Sequence, residues 1–213
     1  GKTILVTAGP TYEAIDPVRF VGNHSSGLMG FEIAAKAALL GAEVIYITGP
    51  THFKTDDSRI KTIPVVSAHE MYTQVHAYFG SADVAVFSAA VADYKPKNTA
   101  TSKIKKSEPR LVLELEKTKD ILASLGAIKS KQFLVGFALE TNNEVDNAIK
   151  KLKSKNLDLI VLNSLNDVGA GFGGNTNKVT LIDKNLVQTV YPLKSKANVA
   201  ADIMIEIQKQ INA

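Results

Sequence analysis

The sequence predicts a doubly wound α/β fold: a mostly parallel, Rossmann-like sheet with helices on both faces, a C-terminal β-hairpin and a basic lid loop. Three observations predict it. Short β-branched runs alternate along the chain with stretches of helical periodicity. The runs are apolar almost throughout, as parallel strands covered on both faces must be. Two late runs, Lys178–Asp183 and Gln188–Leu193, flank the turn-prone pair Lys184-Asn185, which is the pattern of a hairpin. With 213 residues, 45% of them hydrophobic and 22% charged, the chain can build one well-buried core, so residues 1–213 read as a single domain.

In chain order, Thr3–Thr7, Ala42–Thr48, Asp83–Ser88, Phe133–Ala138 and Leu157–Asn163 are the expected strands. The first helix follows the loop Asn23–Gly30 and carries the apolar periodic run Phe31–Leu40. Ser67-Ala68-His69-Glu70 is a capping box, with Met71, Val75 and Tyr78 following at helical spacing. Thr141-Asn142-Asn143-Glu144 reads as a second capping box, ahead of Val145, Ala148, Ile149 and Leu152 on one face. A closing helix from about Asn198 to Ile211 places Val199, Ile203 and Ile207 on one stripe. Strand–helix–strand repeats need right-handed crossovers, and these put the ligand crevice at the carboxyl ends of the strands.

Two long gaps interrupt the order. The segment Asp93–Arg110 holds five lysines, one arginine and two prolines with little periodicity, and reads as a lid loop at about 94–110. The segment Ser164–Asn177 is rich in Gly and Asn.

Composition excludes several classes. The chain has no cysteine, hence no disulfide, thiolate metal site or cysteine nucleophile, which fits a cytoplasmic protein. No run approaches the about 18 apolar residues of a membrane helix, so no membrane is expected. The start, Gly1-Lys2 running into Ile4-Leu5-Val6, reads as a strand rather than a signal peptide. Net charge is +4, with lysines gathered in Lys95–Lys106, Lys117–Lys119 and Lys150–Lys155. No run of exposed aromatics and no nucleic-acid module accompanies them, so no nucleic-acid partner is expected. Solvated helix faces, or a phosphorylated metabolite, account for the clusters.

The motifs carry chemistry unequally. Thr7-Ala8-Gly9-Pro10-Thr11 is a turn after strand one, but it lacks the Gly-x-Gly-x-x-Gly fingerprint, and strand two ends in Thr48-Gly49-Pro50 without a ribose-binding acid. There is no Tyr-x-x-x-Lys pair either, and a nicotinamide-dependent reductase is set aside. Asn23-His24-Ser25-Ser26-Gly27 precedes a helix, where free amides and the positive dipole end attract anions; Ser25 and Ser26 read equally well as caps. Phe87-Ser88-Ala89-Ala90-Val91-Ala92-Asp93 ends the third strand with small residues that let a ligand approach, and Asp93 stands at the crevice mouth as a carboxylate for a ribose, a base or a hydrated magnesium ion, or as a cap. Lys103 lies in the basic lid, where a compact ammonium can neutralise phosphate.

Taken together these segments resemble phosphopantothenoylcysteine synthetases, the phosphopantothenate–cysteine ligases that form half of bacterial bifunctional coenzyme A biosynthesis proteins. The matching pieces are Ile4–Thr11, Asp16–Arg19, Asn23–Gly30, Ala89–Asp93, Lys103–Lys106, Gly136–Asn142, Lys155–Leu159 and Gly171–Leu181, in the family's order and across nearly the whole chain. The resemblance implies that CTP activates the carboxylate of 4′-phosphopantothenate as an acyl cytidylate, and that L-cysteine then displaces CMP. It implies that Lys103 stabilises phosphate charge in the first step, and that Asn23 positions the intermediate for the second. Arg19, Asn23 and Ala90 fall on substrate-side positions. Phe87, Ser88, Ala89, Asp93, Lys103, Thr118, Lys119, Asp120, Ile121, Phe137, Lys151 and Lys155 fall on the CTP site. Lys151 and Lys155 are spaced i, i+4 near a helix end, so both can reach one triphosphate. The family further implies Mg²⁺ with CTP as co-substrate, with metal ligands unassigned, a homodimer with substrate sites near its interface, and fusion to a flavin-dependent decarboxylase, with no flavin in this domain. Lys119-Asp120 stands where the family has Pro-Asp, which is expected to loosen that turn. Asn163–Asp167 carries extra residues, and that loop is left out of the expected site. A non-catalytic nucleotide-binding module is the alternative, but a pure binder needs neither Asn23 nor Lys103.

Overall fold

The computed structural model describes residues 1–105, 110–164 and 174–212. Eight strands make one sheet: β1 (Thr3–Ala8), β2 (Glu43–Thr48), β3 (Ile60–Pro64), β4 (Val84–Phe87), β5 (Phe133–Glu140), β6 (Leu159–Ser164), β7 (Val179–Asp183) and β8 (Gln188–Val190). Their spatial order is β8-β7-β6-β5-β4-β1-β2-β3. The winding reverses at β1, which pairs in parallel with β2 on one side and β4 on the other. This reversal is the switch point where doubly wound sheets open a crevice. β7 runs antiparallel to β6, with Asn163 opposite Val179, and β8 closes the hairpin on the outer edge, as the turn signal predicts.

Alternation along β1 shows how the sheet divides its two layers. Ile4, Val6 and Ala8 pack with α1 (Leu28–Leu39) and α5 (Lys196–Ile211), through Ile33, Ala37, Val199 and Ile203. Leu5 points the other way, into the layer of α2 (Ala68–Phe79), α3 (Ile121–Ile128) and α4 (Glu144–Ser154), with Met71, Val75, Leu125 and Ala148. Each such fully buried aliphatic side chain contributes about 1.5–3 kcal/mol by leaving water. Helix α1 lies unusually close to β1, because a Cβ on Gly30 would sit 2.4 Å from the Ala8 Cβ.

The structure departs from the sequence-based expectations at several elements. The capping box at Ser67 is present, its hydroxyl accepting from the Glu70 amide while the Glu70 carboxylate accepts from the Ser67 amide. The one expected at Thr141 is not: α4 starts from Asn143 in the left-handed region (φ 46°), with no side-chain cap. Asn147 Nδ2 instead donates to the Asn142 carbonyl (3.0 Å), and the helix starts two residues later than the Thr-x-x-Glu pattern suggests. Strand β3 and helix α3 were not expected. Neither were three small antiparallel ribbons, Thr176–Asn177 with Lys194–Ser195, Tyr12–Ala14 with Phe20–Gly22 and Tyr94–Pro96 with Leu115–Lys117. The last of these means that the lid begins as a paired ribbon rather than as a free loop from residue 94. Within the lid, Ala100 donates to the Ile15 carbonyl at 3.0 Å. Residues 106–109 and 165–173, which include Lys106, the extra residues Leu165–Asp167 and Gly171, lie outside the described residues. Among the described residues no helix is long and apolar enough to cross a membrane.

Candidate functional site

A cleft of about 750 Å³ opens over the carboxyl ends of β1, β4, β5 and β6. Its floor begins at Thr7 on β1 and runs to the start of α1. The capping position of α1 is Gly27, at φ 85°, where a residue with a side chain is strained. Gly27 offers no side chain to its own helix, so the capping role expected of the serines is filled only in part. Ser25 Oγ accepts from the Gly27 amide (3.3 Å) and Ser26 Oγ from the Leu28 amide (3.4 Å). The helix thus presents its first turn, with its positive dipole end, to the cleft.

The wall above β4 is tied to β1 by backbone bonds. Ala90 N–H donates to the Gly9 carbonyl (2.9 Å), and Thr11 N–H donates to the Ala90 carbonyl (3.3 Å). The Ala92 amide donates to Thr11 Oγ1 at 2.9 Å. Asn23 closes this wall: its Nδ2 donates to the carbonyls of Ala90 (2.9 Å) and Val91 (3.2 Å). That leaves the Asn23 carboxamide oxygen outside these bonds. Thr118 joins the same wall, donating its hydroxyl to the Ala92 carbonyl (2.7 Å) and its amide to the Asp93 carbonyl (2.9 Å).

The opposite side is cationic. Lys151 and Lys155 project from the last turns of α4. Lys151 Nζ donates to the Phe137 carbonyl at 2.7 Å. Burial and the positive charge of Lys155 push its pKa below the ordinary lysine value, against the pull of Glu140, Asp120 and Asp93. Lys155 Nζ meets Asp120 Oδ2 at 2.8 Å, and Asp120 Oδ1 caps α3 by accepting from the Ala123 amide (2.9 Å). Burial works to raise the Asp120 carboxyl, but the Lys155 hydrogen bond, the Ala123 amide and the neighbouring lysine charges outweigh it and hold the group low. Gly126 permits this geometry, since a Cβ there would lie 2.1 Å from the Lys155 carbonyl oxygen. The missing proline before Asp120 therefore does not leave the turn without an anchor. Lys119 in its place rests over the Tyr72 ring, 4.6 Å from the centroid.

The cleft gathers Asn23, Phe87, Ser88, Ala89, Ala90, Asp93, Thr118, Lys119, Asp120, Ile121, Phe137, Lys151 and Lys155, which are nearly all of the residues that the sequence singles out. Arg19 and Lys103 are not on its wall. Arg19 is bonded to the buried Asp16, and Lys103 immediately precedes Ile104, whose amide bonds to the same carboxylate. Asp16 Oδ1 accepts from the amides of Val18 and Arg19 (both 2.9 Å); Oδ2 accepts from Arg19 Nε (3.0 Å), from an Arg19 Nη in a short contact, and from the Ile104 amide (3.2 Å). The Arg19 hydrogen bonds hold the Asp16 carboxyl far below the usual carboxylate range; burial opposes them and the three amides reinforce them. Arg19 also donates to the Ile104 carbonyl at 3.1 Å.

Asn163, Asn177 and Lys196 also line the cleft, and none was expected there. Asn163 carries a usable signal, since it stands next to the carboxyl end of strand β6. Lys196 opens α5 almost fully buried, and burial lowers its pKa. Asn177 is buried in a two-residue ribbon that pairs with Lys194 and Ser195, and no local pattern marks it.

Five lysines against two aspartates line the cleft, so its field favours an anion of more than one charge. Fold and cleft define the class: a doubly wound α/β protein with a cationic ligand crevice at its switch point. The chain belongs to the DNA/pantothenate metabolism flavoprotein C-terminal domain family, whose description matches residues 1–211. Over 208 residues it is 50% identical to a cysteine/cysteine sulfinic acid decarboxylase of an unknown prokaryotic organism, covering 97% of this chain and 58% of that protein. Over 207 residues it is 46% identical to the coenzyme A biosynthesis bifunctional protein CoaBC of Bacillus subtilis (strain 168), covering 97% of this chain and 51% of the relative. The chain thus spans about half the length of these curated relatives. Among solved structures, the C-terminal domain of CoaBC superposes with a TM-score of 0.85 at 43% identity, covering 100% of this chain and 96% of that one.

Proposed function

We propose that residues 1–213 act as a phosphopantothenoylcysteine synthetase unit in coenzyme A biosynthesis. The carboxylate of 4′-phosphopantothenate attacks the α-phosphorus of CTP, forming an acyl cytidylate and expelling pyrophosphate. The amine of L-cysteine then attacks the acyl carbon, forming the amide, expelling CMP and releasing a proton. The observation that carries this reading is the cleft itself: Lys151, Lys155 and the α1 N-terminus share it with Asn23, the residue to which the resemblance gives the amide-forming step. An acyl phosphate needs cationic and amide donors where charge develops, and the cleft supplies both kinds.

Asn23 holds the Ala90–Val91 turn through its amide nitrogen and directs its oxygen at the incoming amine or the intermediate. Lys151 and Lys155 bind the nucleotide phosphates, with Asp120 orienting Lys155. The small residues Ser88, Ala89 and Ala90 admit the ligand close to the backbone, and Asp93 stands by the ribose. Among the described residues no group of three or more acidic or histidine side chains converges to hold a metal ion. Asp93 would be a single carboxylate partner for magnesium carried by a triphosphate, and an ion held there would neutralise phosphate charge.

Arg19 and Lys103 lie off the cleft of their own chain, and Arg19 is flanked by the exposed Val18 and Phe20. Tyr94, Leu111, Val112, Leu113 and Leu115 extend the exposed apolar surface of the lid and its ribbon. This supports a homodimer in which that surface is covered and the two cations reach a site near the interface. In a longer natural protein the unit would follow a flavin-dependent decarboxylase half, and the whole would work in the cytoplasm.

The test is direct. Incubation with CTP, 4′-phosphopantothenate, L-cysteine and Mg²⁺ is expected to yield pyrophosphate and CMP, and ATP in place of CTP is expected to yield less. No pyrophosphate above background refutes the reading. Release of carbon dioxide from cysteine without nucleotide would favour the decarboxylation in one relative's name instead.

A further inference from the structure

We propose that Asp16 is a positioning residue: its carboxylate joins Arg19 and the Ile104 main chain into one unit, and so fixes where the lid presents Lys103. The inference rests on the synthetase reading for the role of Lys103, but the clasp itself stands on geometry.

Both Asp16 oxygens are saturated by donors. One takes the Val18 and Arg19 amides, the other takes the Arg19 side chain and the Ile104 amide. The Asp16 side chain is 0% exposed, whereas that of Arg19 keeps 40% of its surface in solvent. Buried carboxylates with this many donors are costly to leave half-paired. The second tie, Arg19 Nη to the Ile104 carbonyl at 3.1 Å, closes the ring, so the lid backbone is held at both its donor and its acceptor. Lys103 immediately precedes that pinned peptide. Among the described residues, the remaining lid tie to this region is Thr99 Oγ1 to the Ala14 carbonyl (3.0 Å) beside Ala100 to Ile15. Those two place the root of the lid; only the Asp16 clasp reaches the residue next to the lysine. Arg19 and Lys103 thus move as a pair, whichever cleft they serve.

Asn at position 16 keeps the shape but turns one acceptor into a donor. The amide group must then face either two backbone N–H groups or the guanidinium and Ile104 N–H. Ile104→Pro removes the lid's donor while leaving the Asp16–Arg19 contacts intact, and covers the case in which Asp16→Asn fails to fold.

Two measurements decide the matter. In limited trypsinolysis, cleavage after Lys105 is expected to rise about tenfold or more in Asp16→Asn and in Ile104→Pro, the scale set by losing a charge-assisted hydrogen bond, with the thermal midpoint of Ile104→Pro near wild type. In the pyrophosphate assay, Asp16→Asn is expected to lower kcat with CTP affinity nearly unchanged, and to cause less than about a twofold further loss in a Lys103→Gln background, because coupled residues are not additive. Asp16→Glu is expected to restore part of the rate. Unchanged trypsin cleavage in both variants overturns the clasp, and losses that multiply in the double variant overturn its action through Lys103. If wild-type protein releases no pyrophosphate, the functional reading fails while the proteolysis still judges the clasp.

Discussion

Lys155 and Asp120 meet at 2.8 Å, and through that one contact a lysine of the cleft and the cap of α3 share a carboxylate. The two partners are expected to fail differently. Asp120→Ala removes the cap and is expected to lower stability by about 1 kcal/mol in chemical denaturation. Lys155→Gln breaks a half-exposed pair worth about 0–1 kcal/mol and is expected to leave stability close to wild type. Its CTP affinity, measured by calorimetry, is expected to fall about 10–100-fold through loss of a charged hydrogen bond. Equal stability losses in both variants would contradict this division.

If Lys151 binds nucleotide phosphate as proposed, its lowered pKa is expected to set an alkaline limit on that binding. Its charged form is the one that attracts phosphate, so affinity is expected to fall as pH rises through that lowered value, earlier than for an ordinary lysine. Lys155 contributes to the lowering by repulsion. In Lys155→Gln the falling limb is therefore expected to move to higher pH, even though binding is weaker throughout. A limb that stays in place shows that another group governs it.

Lys103→Gln is expected to suppress pyrophosphate release, and a change at Asn23 the later release of CMP. The structure sharpens the choice of variant. Asn23→Asp keeps the side-chain volume but sets an oxygen against the carbonyls of Ala90 and Val91, where an N–H₂ now donates. It is expected to accumulate acyl cytidylate while also raising the KM for phosphopantothenate. Quenched-flow detection of the intermediate checks this. Loss of both chemical steps to the same degree would count against separate roles.

Gly30→Ala tests how tightly α1 is seated. The added methyl would meet the Ala8 side chain at 2.4 Å, and helix and strand must part to admit it. A loss of about 1–3 kcal/mol is expected from such overpacking, read from the shift of the urea midpoint. A neutral result would mean that the α1 contact is looser than the structure has it.

Acid titration reports on Asp16. Its carboxyl is lower in the folded chain than in the unfolded one, so its contribution is complete above the ordinary value of 3.8. It is lost as pH falls through the depressed native value. The stability gap between wild type and Asp16→Asn is therefore expected to be constant near neutrality and to shrink on acidification. A gap that widens in acid would rule out Asp16 as its source.

Much of this architecture is legible in the residues. The five central strands show themselves as unbroken apolar runs because both of their faces are covered, and Ser67 with Glu70 marks α2 because a reciprocal cap needs those two side chains. Other elements lack a local signal. In β3, Lys61 and Thr62 face solvent at the sheet edge and Pro64 ends the run, so the strand is set by pairing with β2 rather than by composition. Helix α3 is short and apolar and contains Gly126, where it comes close to the Lys155 backbone. Thr141 and Glu144 mimic a cap because the four-residue pattern carries no information on where Asn143 turns left-handed. At the site, the motifs find Lys151, Lys155 and Asn23, whose neighbours in sequence share the cleft. They miss Lys196 and Asn177, brought in from the far end of the chain by α5 and its ribbon. They assign Lys103 to the nucleotide and Arg19 to the substrate side, whereas both lie off the cleft wall, Arg19 bonded to Asp16 and Lys103 next to the Ile104 peptide.

The ribbon of Tyr94–Pro96 with Leu115–Lys117 bears on how the lid tolerates changes of length. Closing a loop costs entropy that grows only with the logarithm of its length, so extra residues beyond the Lys97–Glu114 backbone bond are cheap for the fold. A single residue added within the ribbon is different. It slips the register and turns every following side chain to the opposite face, carrying Lys117 away from the cleft. Related chains should therefore vary in lid length at the tip and keep the root constant.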